Sequence, residues 1–210
     1  MRRHAKERVK YDGNRLISLA GEDAVTTKNI LAVFLVLCLS ACAASVKYRD
    51  PNMDFGSVQK VAVLPFANLT KDEKAADRVR DVYTNMLMAT GGIYLLPPGE
   101  VARGISRAQL TDRTAPSEEE IKRLGGVLGV DTVMTGVVKE YGEVRSGSVS
   151  SNLVSMSLQM FEVKTGKVVW SASSTKGGVS TTDRLFGGGG KPMNIVTEEA
   201  VVDLINKLYK

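Results

Sequence analysis

The chain has 210 residues, of which 28 are basic and 23 are acidic, and its single histidine is His4. Charges of both signs are interleaved, so the sequence lacks the concentrated basic surface that nucleic-acid binding requires. The two cysteines, Cys38 and Cys42, lie in the first 42 residues. The rest of the chain therefore excludes disulfides, Cys/His zinc sites and catalysis by histidine or cysteine.

An apolar run from Ile30 to Leu39 leads into Leu39-Ser40-Ala41-Cys42. The run is too short to cross a bilayer, which needs roughly 20 apolar residues, but it fits a secretory h-region of about 7–15 residues. Small residues before a cysteine resemble the lipobox of bacterial lipoprotein signal peptides. We predict that residues 1–41 are a signal peptide and that Cys42 is the lipid attachment site. An ordinary cleaved signal, in which Cys42 is incidental, is the alternative.

Residues 1–24 precede a signal that is already complete, because Val25 to Asn29 supply a short basic n-region containing Lys28. A valine codon can initiate translation in bacteria, so we predict that Val25 is the true start. Cleavage before Cys42 removes seven basic and four acidic residues, which leaves 169 residues with 21 basic and 19 acidic side chains. This length suits one domain, and the nearly balanced charge gives no polybasic membrane surface.

The mature chain begins with a predicted lipidated N-terminus and polar tether, residues 42–56, and a domain at residues 57–210. The continuous apolar run Val61–Phe66 is typical of a strand buried on both faces. Thr70-x-x-Glu73 predicts a capping box at the start of an amphipathic helix. Gly91-Gly92 predicts the end of that helix.

The middle of the chain alternates strands and helices. Ile93–Leu96 is a short predicted strand, and residues 99–109 form a short predicted helix. Ser117-x-x-Glu120 predicts a second capping box, and Gly129 the end of its helix. Asp131–Tyr141 is predicted as the next strand, followed by a hairpin tip.

Ser151–Val163 carries the clearest strand pattern, because apolar and polar residues alternate along it. Lys164–Lys167 predicts a turn, and Val168–Trp170 opens a returning strand. An apolar pattern from Val196 to Leu208 predicts a closing helix. In the strand, Val154, Met156, Leu158 and Met160 alternate with Ser155, Ser157 and Gln159.

The order of elements predicts a single α/β domain with mixed α+β character. Early β-α units favour parallel strand pairs, and the later strands favour antiparallel hairpins. We expect one mixed sheet, covered by helices in a three-layer-like arrangement and closed by the C-terminal helix.

The polar positions Ser155, Ser157 and Gln159 form a candidate interaction face. A solvated sheet face is the alternative interpretation. Burying uncharged side chains against a partner costs less than burying charged ones. By contrast, Trp170 and the methionines Met156 and Met160 are predicted to lie in the core.

No pattern predicts catalysis. Gly187–Lys191 lacks the spacing of a phosphate-binding loop. The order of the penicillin-binding-protein motifs is matched by Ser57-x-x-Lys60, Ser150-x-Asn152 and Lys164-Thr165-Gly166. In those enzymes the nucleophilic serine begins a helix, but here the first motif leads into a predicted strand and the third lies in a predicted turn. Glu118–Glu120 fits the favourable charge of a helix's first turn. We predict no catalytic residue, no metal, no cofactor other than the covalent lipid on Cys42 and no small-molecule substrate.

Four segments together resemble the curli-secretion lipoprotein (CsgG-like) superfamily, whose members include activators of penicillin-binding proteins and the ring-forming lipoprotein of Pel export. They are Cys42, Val61–Thr70 (VAVLPFANLT), Gly129–Gly136 (GVDTVMTG) and Phe161–Trp170 (FEVKTGKVVW). The long membrane hairpins of the curli channel have no counterpart, because the predicted connections within Asp131–Gly177 are short.

The resemblance implies an α/β domain tethered to the outer membrane and facing the periplasm, often in rings. We therefore predict a non-enzymatic outer-membrane lipoprotein that serves an envelope export or assembly system through contacts with envelope proteins. Its expected partners are the membrane, through Cys42, and other proteins, including further copies in a homo-oligomeric ring, but not nucleic acid. A lipoprotein activator of a peptidoglycan synthase is the alternative.

Overall fold

The computed structural model describes residues 47–179 and 190–210. Within these residues, seven strands form one sheet and four helices pack on it. The strands are β1 (Lys47–Arg49), β2 (Lys60–Val63), β3 (Ala67–Asn68), β4 (Tyr94–Leu95), β5 (Thr132–Ser146), β6 (Val149–Glu162) and β7 (Val168–Gly177). The helices are α1 (Ala75–Ala89), α2 (Pro98–Arg107), α3 (Glu118–Leu128) and α4 (Met193–Tyr209).

The sheet has the strand order β1-β7-β6-β5-β2-β4, and β3 pairs with β5 beside β2. Strand β2 is parallel to both β4 and β5, and β3 is parallel to β5. The pairs β5–β6, β6–β7 and β1–β7 are antiparallel. The predicted single α/β domain, with parallel pairs early and antiparallel hairpins late, is therefore confirmed.

Hydrophobic cores lie on both faces of the sheet. Helices α1 and α4 cover one face, where Val61 and Val63 of β2 pack with the buried side of β6. Helices α2 and α3 cover part of the other face, where Ala62 meets Ile121 and Leu124. Because successive residues of β2 point to opposite faces, this strand is apolar throughout, as predicted.

Alternation along β6 is confirmed. Val154, Met156 and Leu158 are fully buried, and Met160 is nearly so. Trp170 is also fully buried, and its indole N–H donates to the carbonyl oxygen of Lys207 on α4 at 3.2 Å. The core positions predicted for these residues are correct.

Of the two predicted capping boxes, the one at Ser117 and Glu120 is present in full, and Gly129 ends α3 in the left-handed conformation. The box predicted at Thr70 and Glu73 is wrong, because α1 begins only at Ala75. Local side-chain hydrogen bonds explain the delay: Asn68 accepts from the Thr70 N–H and Asp72 from the Lys74 N–H. Such bonds stabilise turns at the expense of helix.

Two segments are more regular than predicted. Strand β1 lies inside the predicted tether and pairs with β7 from Lys47 to Arg49. The predicted hairpin tip between β5 and β6 is present as a two-residue turn, Gly147-Ser148, but the strands on either side, of 15 and 14 residues, extend farther toward it than predicted. Both segments are mainly polar, so hydrophobic periodicity gave little signal for them. Cys42 and residues 187–189 lie outside the described residues.

Candidate interaction surface

The predicted interaction residues occupy a face of the sheet that the helices leave open. Ser155, Ser157 and Gln159 point away from the core side of β6, with the two serines half-buried and Gln159 exposed. Helix α3 covers only the end of this face, where Gly125 lies directly against Val163. Beyond that contact, none of the helices described in residues 47–179 and 190–210 covers Ser155, Ser157 or Gln159.

Strand β7 adds three hydroxyl side chains to the two that β6 places on this surface. Its residues Ser171, Ser173 and Thr175 stand opposite those of β6 in the strand register. The hydroxyl oxygens of Ser155 and Thr175 are 2.9 Å apart and share a hydrogen bond. We call the following six residues the hydroxyl face: Ser155, Ser157, Gln159, Ser171, Ser173 and Thr175.

The three residues on β7 were missed at the sequence level, although a signal was present. After Trp170, buried Ala172 and Ser174 alternate with polar residues. Extending the two-residue period beyond Trp170 would have placed Ser171, Ser173 and Thr175 on the open side.

The hydroxyl face contains no ionisable side chain. Its edge toward β1 carries Tyr48, which stands opposite Ser171 and is about half exposed. On its other side, β5 contributes Val137 opposite Ser157, and Glu140 opposite Ser155. A neutral surface of this kind is cheaper to desolvate than one that carries charged side chains.

Two carboxylates with lowered pKa values, Glu120 and Asp131, accept hydrogen bonds from backbone N–H groups of the fold. Backbone N–H groups of Thr111 and Ser117 lower the pKa of Glu120 to about 2. Backbone N–H groups of Lys60 and Gln59 likewise lower the pKa of Asp131. Each of these carboxylates closes a turn or begins a strand, so neither is available as a general base.

In the described part of the chain, the residues of the other catalytic and metal-binding patterns do not lie close together either. The residues of the penicillin-binding-protein pattern are spread over the sheet: Ser150 is near the β5–β6 turn and Lys164 follows the opposite end of β6. Among residues 47–179 and 190–210, no group of histidine, cysteine, aspartate and glutamate side chains could hold a metal ion. None of the helices in the same ranges has the length and apolar content needed to cross a membrane.

A cavity of about 310 Å³ lies between β1 and the end of α4. Its charged lining residue is Arg49, whose guanidinium stacks 3.7 Å from the Phe55 ring centroid and donates to the carbonyl oxygen of Leu208 at 2.7 Å. Because that guanidinium is already engaged by the fold, the cavity is a weaker candidate site than the hydroxyl face.

Comparisons with known proteins identify relatives. The model of the family described as "Putative lipoprotein GNA1162-like" matches residues 54–209. The "Putative lipoprotein NMB1124/NMB1162" of Neisseria meningitidis serogroup B is 26% identical over 151 residues, which cover 70% of this chain and 68% of that protein.

Solved structures share the fold. The crystal structure of lipoprotein GNA1162 from Neisseria meningitidis has a TM-score of 0.52 at 19% identity, covering 72% of this chain and 98% of that one. The PelC dodecamer from Paraburkholderia phytofirmans has a TM-score of 0.51 at 19% identity, covering 79% and 98%. At these identities, the likeness establishes the fold alone.

The resemblance to the curli-secretion superfamily is corrected by these findings, because the family model that matches residues 54–209 is the GNA1162-like one. Three of the four segments on which the resemblance depended lie in the described residues, at β2, at the start of β5 and at the turn between β6 and β7. They are apolar strands and a tight turn, which specify architecture more than family.

Proposed function

The chain belongs to the GNA1162-like family, and on that premise we propose that it is an outer-membrane lipoprotein, facing the periplasm, that serves an envelope export or assembly system without being an enzyme. Acyl chains on Cys42 hold it at the membrane. The hydroxyl face binds a second copy of the chain in a homo-oligomer. The observation that carries this proposal is the hydroxyl face, a neutral area of the sheet that none of the described helices covers, on the side opposite α1 and α4.

Two considerations support self-association. The PelC protein that shares this fold is a dodecamer, so the architecture is compatible with a closed assembly of identical subunits. Lipid anchoring also confines the copies to a surface, which raises their effective concentration relative to free diffusion. A weak interface can then be occupied.

Lipid attachment is tested by replacing the two cysteines separately. Cys42→Ser removes the acylation site, so we expect an uncleaved precursor that does not incorporate radiolabelled fatty acid. Cys38→Ser is the matched control, because it changes a cysteine within the apolar run, and it should be processed and labelled normally. Incorporation of label into the Cys42→Ser protein would contradict the proposal.

The role of the hydroxyl face is tested by placing a charge in it. Ser157→Lys puts an ammonium group at its centre, and we expect native mass spectrometry of detergent-extracted protein to show loss of the oligomer. Ser106→Lys, on the exposed surface of α2, is the matched control and should assemble like the wild type. Circular dichroism melts establish that both variants are folded. An unchanged oligomer in the Ser157→Lys protein would refute this role.

A further inference from the structure

Strands β5 and β6 project beyond the rest of the sheet. The last pair that β6 forms with β7 joins Leu153 to Gly177. Further along, β5 and β6 pair with each other from Glu143 and Asn152 to Ser146 and Val149. We call residues 143–152 the arm. At its base, Asn152 accepts from the Gly178 N–H and donates to the carbonyl oxygen of Lys191, both at 2.8 Å.

The chain enters the sheet on the side from which the arm projects. Strand β7 runs toward the arm, and β1 is antiparallel to it, so Lys47 is the end of β1 closer to the arm. Lys47 is level with Ala172, which in turn pairs with Leu158. From Leu158 to Val149 is nine residues along β6, or about 30 Å at a strand rise of about 3.3 Å per residue.

The connection from the anchor is shorter than this distance. Lys47 is five positions after Cys42, and a fully extended chain spans about 17 Å over five residue steps. With the arm side of the sheet toward the bilayer, the arm reaches the lipid before the connection is taut, and the sheet must be inclined to the membrane for the tip to stay in the headgroup layer. In the opposite orientation, the end of β6 at Glu162 would face the bilayer. Glu162 lies four residues beyond the level of Lys47, so the connection would have to turn back and run along the sheet for nearly its whole length.

The chemistry of the arm suits a lipid headgroup layer. Its ionisable side chains, Glu143 and Arg145, form an ion pair at 3.2 Å, so the arm is electrically neutral. Cross-strand pairing satisfies the backbone groups that face each other within the arm. The outward-facing backbone groups of both strands need water or headgroup partners, so the arm suits the hydrated headgroup layer and not the hydrocarbon core. The remaining side chains are small hydroxyl or aliphatic groups, chiefly Val144, Val149, Ser146, Ser148 and Ser150.

We propose that the arm rests in the headgroup layer of the phospholipid bilayer that holds the acyl chains of Cys42. This inference depends on the proposed lipid attachment. The domain is then fixed at two points, the anchor and the arm, so it cannot rotate freely on its connection. Two-point attachment gives every copy the same inclination to the membrane, which is a condition for assembling a regular oligomer on that surface.

The test places a fluorescent probe at either end of β6 in the mature lipoprotein. Ser148→Cys, in the arm turn, and Lys164→Cys, in the turn at the opposite end, are each labelled with an environment-sensitive nitrobenzoxadiazole dye. The proteins are reconstituted at low density in phosphatidylethanolamine/phosphatidylglycerol vesicles that contain a lipid with a spin label near the headgroup. We expect at least twofold stronger quenching at position 148 than at position 164.

Intact mass of the same samples separates the two proposals. Protein without acyl mass on Cys42 contradicts the anchor itself. Acylated protein that shows equal quenching at both positions, or stronger quenching at position 164, overturns the arm contact. If probe 148 is shielded only when the protein density in the vesicles is raised, the arm contacts a second copy, which also overturns it. Thermal melts confirm that both labelled proteins are folded.

Discussion

Asp131 joins the beginnings of two neighbouring parallel strands. Its carboxylate accepts hydrogen bonds from the backbone N–H groups of Gln59 and Lys60, each at 2.9 Å. The residue lies immediately before β5, and the two N–H groups lie at the start of β2. The side chain thus reinforces a parallel register that backbone hydrogen bonds also fix, among them the bond from the Asp131 N–H to the Lys60 carbonyl oxygen at 2.9 Å.

Asp131→Asn is expected to destabilise the domain by about 1 kcal/mol at neutral pH, because it replaces a charged hydrogen-bond acceptor with a neutral one at a partly exposed site. The folded-state pKa of Asp131 is lowered from 3.8. Its stabilisation is therefore complete above about pH 4 and is lost as the pH falls through the folded-state pKa.

Urea unfolding at pH 7 and pH 3 measures both effects. The difference between wild type and Asp131→Asn should shrink at pH 3. Asp81→Asn, at an exposed position on α1, is the control and should change little. A destabilisation by Asp131→Asn that is the same at both pH values would contradict the assignment.

Gly136 lies on β5 beside two large side chains, Leu158 on the neighbouring strand and Phe66 just before β3, which leave no space for a side chain of its own. A Cβ atom there would lie 2.7 Å from both Leu158 Cδ2 and Phe66 Cδ1. Gly136→Ala should therefore cost about 1–3 kcal/mol through overpacking. Gly126→Ala on α3 is the control, because a Cβ there meets no atom within 4 Å, and it should stabilise by about 0.5–1 kcal/mol through helix propensity. Thermal melts showing the same sign for both substitutions would contradict this packing.

The closing helix α4 is held by polar as well as apolar contacts. The ammonium group of Lys207 donates to Asp203 at 2.6 Å and to the carbonyl oxygen of Ser173 on β7 at 2.8 Å. Burial raises the pKa of Asp203, but the hydrogen bond and charge of Lys207 contribute to a net lowering. These contacts connect the last turns of α4 to the strand that carries half of the hydroxyl face.

Lys207→Met keeps the length of the side chain but removes the donor. Since two acceptors then lose a partner in a half-buried setting, we expect a loss of about 1–3 kcal/mol. Hydrogen exchange should show the last two turns of α4 losing protection before the rest of the domain. Lys122→Met, exposed on α3, is the matched control. Uniform loss of protection over the whole domain would argue against a local contact.

The elements that sequence predicted correctly are those with strong hydrophobic periodicity. Strand β6 and helix α4 each present a clear apolar face, and α3 adds a capping box to its pattern. The elements that sequence missed depend on pairing partners. Strand β1 has three exposed residues and exists because β7 offers an unpaired edge. Such a strand has no local signature, since its stability comes from residues more than a hundred positions away.

Only the β6 half of the hydroxyl face was predicted from sequence, because the β7 half depends on strand pairing. On β6 the alternation was clear enough to identify Ser155, Ser157 and Gln159 as one face. Their neighbours on β7 could be added only by carrying the period past Trp170, and the register that brings Ser155 to Thr175 is a property of the sheet. That none of the four described helices covers this face is likewise a tertiary feature that no local pattern encodes.

At the scale of the whole molecule, the two faces of the sheet differ in what their burial would cost. The face under α1 and α4 is apolar and packed, whereas the hydroxyl face is neutral, polar and open. Association through the hydroxyl face would involve hydrogen bonds between neutral groups and little Coulomb energy. The proposed homo-oligomer should therefore respond to salt differently from assemblies joined by ion pairs.

We expect the oligomer fraction of detergent-extracted protein to change less than about twofold between roughly 0.05 and 0.5 M NaCl, a range over which the Debye length falls about threefold and exposed ion pairs are strongly screened. Analytical ultracentrifugation at the two salt concentrations measures the fraction directly. Disassembly at high salt would show that charged residues outside the hydroxyl face hold the subunits together. A modest increase in assembly at high salt is compatible with a neutral interface, because salts that are excluded from protein surfaces favour burial of apolar groups such as Tyr48 and Val137 at its margins.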